Sequence, residues 1–253
     1  MPPQLFRFFP FDTRVQKRRV RNVLLRRHLW SSRAGAINDP FECRPYMDFN
    51  ATLEQKVVWL ARQLVASGTC RQDIAESEAR RKLQENRIAP DTEAMTSRIL
   101  EKCKKIGVIC FSATREPLLL WSHYAAGHRG LCVGFRQQEA GGLLSYAKEV
   151  KYQNEYPTVR AYLDDDPARF DKVVLTKSMC WAYEREWRVV SPEAADCSVI
   201  FEDRNLVSVT LGACMDPCSE ELIVRWARRE FPHVVVSRAK LEEKTFGLAF
   251  EAL

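Results

Sequence analysis

The chain has 253 residues, of which 46% are hydrophobic and 28% charged, enough to bury the core of one large domain covering 1–253. No apolar run approaches the roughly 20 residues needed to cross a bilayer, and the N-terminal segment lacks the pattern of a signal peptide. These features exclude a membrane-spanning protein, and we expect a soluble, cytoplasmic one with no membrane partner.

Cysteine usage argues against two ways of stabilising the fold. The nine cysteines are odd in number and form no CxxC pair, which disfavours a disulfide framework and a structural zinc site. Cys214 and Cys218 come nearest to a metal pair but lack obvious further ligands. We therefore expect no metal.

The net charge of +6 is unevenly distributed. No acidic residue lies between Asp12 and Asp39, yet this stretch contains eight Lys and Arg residues. The basic helix predicted from Arg14 to Arg27 either binds phosphates of a nucleotide or a nucleic acid or contacts a protein acceptor, or it is simply a solvated helix face.

The first elements are predicted as strand, helix and strand. Residues 5–9 are typical of a short strand, and Thr13 and Gln16 have the capping-box spacing that begins a helix. This helix should continue to about Arg27, with a second strand over 28–32. The turn that follows, INDPFE, should be ordered by its Asn-Asp-Pro sequence and held to the core by Phe41.

Residues 51–105 are charged and poor in β-branched runs, which predicts a helical insertion. Its helices are expected at 54–65, 72–87 and 92–105, with breaks at Gly68 and Pro90. Beyond it, strands are predicted at 106–112, 130–135, 149–153, 186–191, 206–211, 234–238 and 245–251, and helices at 117–126, 166–179 and 219–230. The mixed order predicts an α+β fold with a mixed, largely antiparallel sheet and a helical insertion.

The segment LWSHYAAGHRGLCVGF, over 120–135, concentrates hydrogen-bonding and aromatic side chains. His123 is a candidate acid or base, and Trp121, Tyr124 and His128 are candidate binding residues. The alternative is that Trp121 and Tyr124 are core anchors and that His123 only bonds a carbonyl.

A second candidate segment, KSMCWAYEREWR, begins at Lys177. Strand alternation would place Glu184, Glu186 and Arg188 on one face. Neighbouring carboxylates raise each other's pKa unless Arg188 or Lys177 neutralises one, a pattern typical of functional sites and equally of a buried salt bridge. The phosphate-loop, dinucleotide-loop, HExxH and GxSxG motifs are all absent from the sequence, which disfavours the enzyme classes that carry them.

Several blocks in order resemble a bacterial family known as domain of unknown function 2971. They are LFRFF, INDPFE with Ile37 in place of the usual aromatic residue, CFS at 110–112, LWSHYA followed by HRG, and Lys177 followed by WAYEREWR. The resemblance spans nearly the whole chain. It implies a bacterial protein, but the family name implies no activity.

A weaker resemblance is to ADP-ribosyltransferase-like folds, which carry His or Arg on the first strand, Ser or Tyr on a second, and Glu on a late strand. Arg7, Ser31 or Ser32, and Glu184 or Glu186 occur in this order. The resemblance implies that Arg7 holds the nucleotide of NAD, that Ser31 supports the nicotinamide side, and that Glu186 stabilises an oxocarbenium-like state.

The leading hypothesis is therefore an enzyme that cleaves NAD and transfers ADP-ribose to a macromolecule or to water, an activity suited to toxins or phage defence. Its site would comprise Arg7, Ser31 and Glu186, walled by Trp121, His123 and Tyr124. One alternative is a non-enzymatic nucleotide or nucleic-acid sensor on the same scaffold. Another is a metal-dependent nuclease using Asp39, Glu42 and a histidine.

Overall fold

The computed structural model describes residues 2–85, 92–136, 142–164 and 166–253 and confirms the α+β class. The helices are α1 Arg14–Arg26, α2 Leu53–Ala66, α3 Ala75–Gln84, α4 Thr92–Cys103, α5 Leu118–Tyr124, α6 Asp166–Val174 and α7 Pro217–Glu230. The first strands are β1 Gln4–Phe9, β2 His28–Arg33, β3 Tyr46–Asp48, β4 Gly107–Ser112, β5 Leu131–Arg136, β6 Ala147–Glu149 and β7 Lys151–Gln153. The remaining strands are β8 Thr158–Arg160, β9 Thr176–Ser178, β10 Glu186–Ser191, β11 Cys197–Ile200, β12 Leu206–Leu211, β13 Val235–Leu241 and β14 Leu248–Ala252.

One large sheet organises the chain in the order β11-β2-β4-β1-β5-β12-β13-β14, with β10 and β6 branching from β4. Its pairings are antiparallel except that of β12 with β13. The short strands form two parallel pairs, β3 with β8 and β7 with β9. The predicted mixed and mostly antiparallel sheet is thus confirmed.

The large sheet splits at β4. On one edge, β10 pairs with β4 along its whole length, from Ser112 to Gly107. On the other edge, β1 pairs only at Ser112 and β2 only at Val108 and Gly107. Residues 109–111 therefore lack a partner strand there. We call this opening, between β1 and β2 and bordered by 109–111 of β4, the β4 notch.

Helix α1 covers the sheet beside the notch. The Thr13 hydroxyl accepts from the Gln16 backbone N–H, and the Gln16 side chain accepts in return from Thr13, so the predicted capping box is present. Val20, Val23 and Leu24 are buried in the main core, which also includes residues of β1, β5, β12 and α7. Burial of this apolar stripe leaves the basic residues of α1 toward solvent.

Three local predictions are wrong. Phe41 does not hold its turn to the core, because 63% of its surface is exposed. Residues 149–153 do not form one strand: β6 pairs with β10, and β7 pairs with β9. The helix predicted to reach residue 179 ends at Val174, and β9 follows. The predicted break at Pro90 lies outside the described residues.

Candidate functional site

A cavity of about 340 Å³ opens at the β4 notch. Its walls come from β1, α1, β2, β4, α5, β9 and β10 and from the turns before β3 and β10. They include Arg7, Arg19, Ser32, Asn38, Cys110, Ser112, Tyr124, Lys177, Glu184 and Glu186. The cavity therefore brings together residues that are distant in the sequence, such as Arg7 and Glu186, which are 179 positions apart. Its size is typical of a small-molecule site.

Lys177, Glu184 and Glu186, which line the cavity, belong to a buried ionic cluster of three carboxylates and two cations. Lys177 Nζ lies 2.6 Å from Glu184, 3.0 Å from Glu186 and 3.2 Å from Glu42. Arg188 Nε lies 2.8 Å from Glu186, and its Nη2 also contacts Glu42. All five side chains are at most 5% exposed. The formal charge of the cluster is −1.

The two glutamates that line the cavity differ in their electrostatics. Burial acts to raise the pKa of Glu186, but Arg188 and Lys177 outweigh it and lower that pKa to about 2. Burial raises the pKa of Glu184 above its ordinary value, although Lys177 and Tyr124 oppose the shift. For Lys177, three carboxylates outweigh burial and raise the pKa. Glu186 is thus fixed as an ion-paired carboxylate, whereas Glu184 is the more readily protonated.

Tyr124 and Asn38 connect the cluster to the cavity wall. The Tyr124 hydroxyl donates to Glu184 Oε1 at 2.7 Å and accepts from Asn38 Nδ2 at 2.9 Å. Burial, followed by the nearby Glu184 carboxylate, raises the pKa of Tyr124. The phenol therefore stays protonated and orients Glu184. Ser112 fixes the same segment, since its hydroxyl donates to the Glu184 carbonyl oxygen at 2.6 Å.

The cavity is also lined by Arg7, whose charge has no acidic partner within the described part of the chain. Its Nη2 donates to the Trp30 carbonyl oxygen at 3.2 Å, whereas Nη1 is shielded from solvent and has no hydrogen-bond partner among the described residues. Burial lowers the pKa of Arg7, but a guanidinium remains charged at neutral pH. Arg19 also lines the cavity. The cavity is thus lined both by cations and by carboxylates.

Four predicted site residues lie outside the cavity wall. Ser31 faces away from it because side chains alternate along β2, and its neighbour Ser32 lines the cavity instead. Trp121 is a fully buried core residue that donates to the Arg115 carbonyl oxygen at 2.7 Å. His128 stacks on Trp121, with ring centroids 6.1 Å apart. His123 is exposed and lies beside Trp181.

The ionic cluster around Lys177 is completed by a residue from a turn that is distant in the sequence. Glu42, from INDPFE, contacts both Lys177 and Arg188, and Asn38 from the same turn bonds Tyr124. The blocks INDPFE, CFS, LWSHYA and WAYEREWR therefore meet at one place. Strand periodicity indicated the pairing of Glu186 with Arg188, but it gave no signal for Glu42, whose partners lie more than 130 positions away.

The described residues contain no group of three or more His, Cys, Asp or Glu side chains placed to hold a metal ion. In particular, the Glu42 carboxylate proposed for a nuclease is engaged by Lys177 and Arg188. Among the helices in the described ranges, none is both long and apolar enough to cross a membrane.

Comparisons with known proteins give no further guide to this site. The sequence matches no protein-family model, and no curated protein or solved structure matches it significantly. The geometry of the cavity is therefore the basis on which we infer a function.

Proposed function

We propose that the cavity binds NAD and that the protein cleaves the bond between nicotinamide and ribose, transferring ADP-ribose to an acceptor. A single observation carries this proposal: Arg7 and Arg19, which have no ion-pair partner among the described residues, line the same cavity as the buried carboxylates of Glu184 and Glu186. A dinucleotide presents phosphates that suit Arg7 and Arg19. At the other end, its ribose develops positive charge when the glycosidic bond breaks, which suits a fixed carboxylate.

In this reaction the nicotinamide nitrogen takes the electron pair of the breaking bond and becomes neutral. An oxygen or nitrogen of the acceptor then bonds to the ribose carbon and releases a proton. We assign the stabilising carboxylate to Glu184, because Glu186 pairs with both Arg188 and Lys177, whereas Glu184 pairs with Lys177 alone among the described residues. Glu186 instead holds Lys177 in place, and Tyr124 orients Glu184. These assignments replace the sequence-based choice of Glu186.

A second candidate is a nucleotide sensor that binds without turnover. The observation that favours it is that the Glu184 carboxylate already has hydrogen-bond donors, since it accepts from both Tyr124 and Lys177. A carboxylate held in this way can bind a ribose hydroxyl without promoting bond cleavage. The two candidates share the cavity and differ in the fate of the nicotinamide bond.

The test combines a binding measurement with a release measurement. The full chain is titrated with NAD in a calorimeter, and nicotinamide release is followed by chromatography. We expect Arg7→Gln to weaken NAD binding at least tenfold and Glu184→Gln to abolish release while retaining binding. The conservative control, Arg62→Gln, removes an exposed charge outside the cavity and should change neither. Binding without release would support the sensor, and no binding of NAD would refute both candidates.

A further inference from the structure

Helix α1 presents a basic surface that the protein does not neutralise. Arg14, Lys17, Arg18 and Arg21, which we call the α1 basic face, are exposed. Within the part of the chain that the structure describes, none of them forms an ion pair. The nearby carboxylates have other partners: Asp12 pairs with Arg129, and Asp216 caps α7 by accepting from the Ser219 N–H, a bond that lowers the pKa of Asp216 together with the nearby charge of Lys17.

The fold gains little from these charges. The first turn of α1 contains no acidic residue and begins with Arg14, so cations lie at the positive end of the helix dipole, where they are unfavourable. The helix is held instead by its capping box and by burial of Val20, Val23 and Leu24. An external anion is therefore the natural partner of the α1 basic face.

Other basic side chains lie near this surface. Helix α7 packs against α1 and carries exposed Arg225 and Arg228. Arg19, which is also exposed on α1, lines both the main cavity and a smaller chamber of about 130 Å³. Trp30, which is 39% exposed, lines this chamber too. Helix α1 therefore carries basic side chains both on the α1 basic face and at the margin of the site, where an aromatic ring is exposed.

We propose that the α1 basic face binds single-stranded nucleic acid, which serves as the acceptor of ADP-ribose; this rests on the proposed function. Regularly spaced phosphates match a row of Arg and Lys, and an exposed indole offers a surface on which a base can stack. A membrane fits less well, because Val15 is the exposed large hydrophobic residue on α1, and an interfacial helix needs an apolar face.

The test measures binding of a fluorescein-labelled 20-nucleotide single strand, as DNA and as RNA, by anisotropy over a range of salt concentrations. One triple variant of the full chain carries Lys17→Gln, Arg18→Gln and Arg21→Gln. The matched control carries Arg62→Gln, Lys105→Gln and Lys244→Gln, which removes the same charge from exposed positions elsewhere. Vesicles of phosphatidylserine and phosphatidylcholine form a separate arm. NAD affinity is measured for every variant.

We expect salt-dependent binding of the strand by the unaltered protein. The first triple should reduce the slope of log affinity against log salt by about 2, since each lost phosphate contact removes about 0.7. The control triple variant should show the same slope as the unaltered protein, and both triple variants should bind NAD with unchanged affinity. Label from the adenylate phosphate of NAD should then appear on the strand.

Three outcomes would overturn this inference: no strand binding at low salt, equal losses in the two triples, or binding of anionic vesicles in preference to the strand. Nicotinamide release in the absence of strand binding would overturn the inference while leaving the proposed function standing. Strand binding without nicotinamide release would instead overturn the proposed function and the acceptor role with it.

Discussion

The charge balance of the buried cluster predicts opposite sensitivities for its acidic and basic members. Lys177 is 1% exposed and contacts three carboxylates at 2.6–3.2 Å. Replacing it by Met leaves Arg188 as the remaining cation of the cluster, in contact with Glu42 and Glu186 but not with Glu184, and breaking a buried pair in this way costs about 3–5 kcal/mol. Replacing Glu184 by Gln instead leaves two carboxylates and two cations. Because the amide keeps an acceptor for Tyr124, the loss should be about 1–2 kcal/mol.

Urea unfolding at pH 7 measures both variants, with the m-value as a check that the unfolding transition is unchanged. The double variant should lose about 0.5–3 kcal/mol less free energy of unfolding than the sum of the two single losses. The reason is that Glu184→Gln removes one of the carboxylates that Lys177→Met leaves unpaired. Lowering the pH from 7 to 5 should also reduce the Lys177→Met defect. The reason is that burial raises the pKa of Glu184 in the folded state, so the stability linked to its protonation is lost as the pH rises. A Glu184→Gln loss as large as that of Lys177→Met would refute this reasoning.

Three more predictions concern the site and its support. As the pH is lowered, the rate of nicotinamide release should begin to fall at a pH above 4.5, the ordinary pKa of a glutamate, because burial raises the pKa of Glu184. A rate that stays constant down to pH 4 would contradict this. His128→Gln should leave release within about twofold of the original rate, since His128 lies outside the cavity wall; a loss comparable to that of Glu184→Gln would restore it as a site residue. Gly107→Ala should destabilise the fold by about 1–3 kcal/mol, because the new Cβ would lie 2.0 Å from the Ala194 carbonyl oxygen; an unchanged melting temperature would show that this contact relaxes freely.

Local patterns predicted the main elements well because their causes are local. The capping box at Thr13 and the side-chain alternation that begins at Glu186 depend on residues close together in the sequence, and both are present in the structure. The exposure of Phe41 could not be predicted in this way. The Asp39 side chain accepts from the Phe41 N–H at 2.9 Å, and this turn directs the ring outward although its hydrophobicity favours burial.

The site was predictable in composition but not in geometry. Sequence order suggested Arg7 with a late glutamate, and both line one cavity. The choice among Ser31 and Ser32, or Glu184 and Glu186, depends on side-chain direction and on ion pairs with distant residues. Trp121 illustrates the limit: an indole in a polar motif resembles a pocket wall, but its N–H is satisfied by the Arg115 carbonyl in the core.

The unpaired edge of β4 has a consequence for inhibition. Residues 109–111 pair with neither β1 nor β2 at the notch, over a span of about 10 Å at 3.3 Å per residue. An extended tripeptide mimic could bridge β1 and β2 by pairing with the main chain of these residues, as peptides do when they add to a sheet edge. Resistance to such an inhibitor would be hard to acquire by mutation, because substituting a side chain does not remove the main-chain groups that bind the inhibitor.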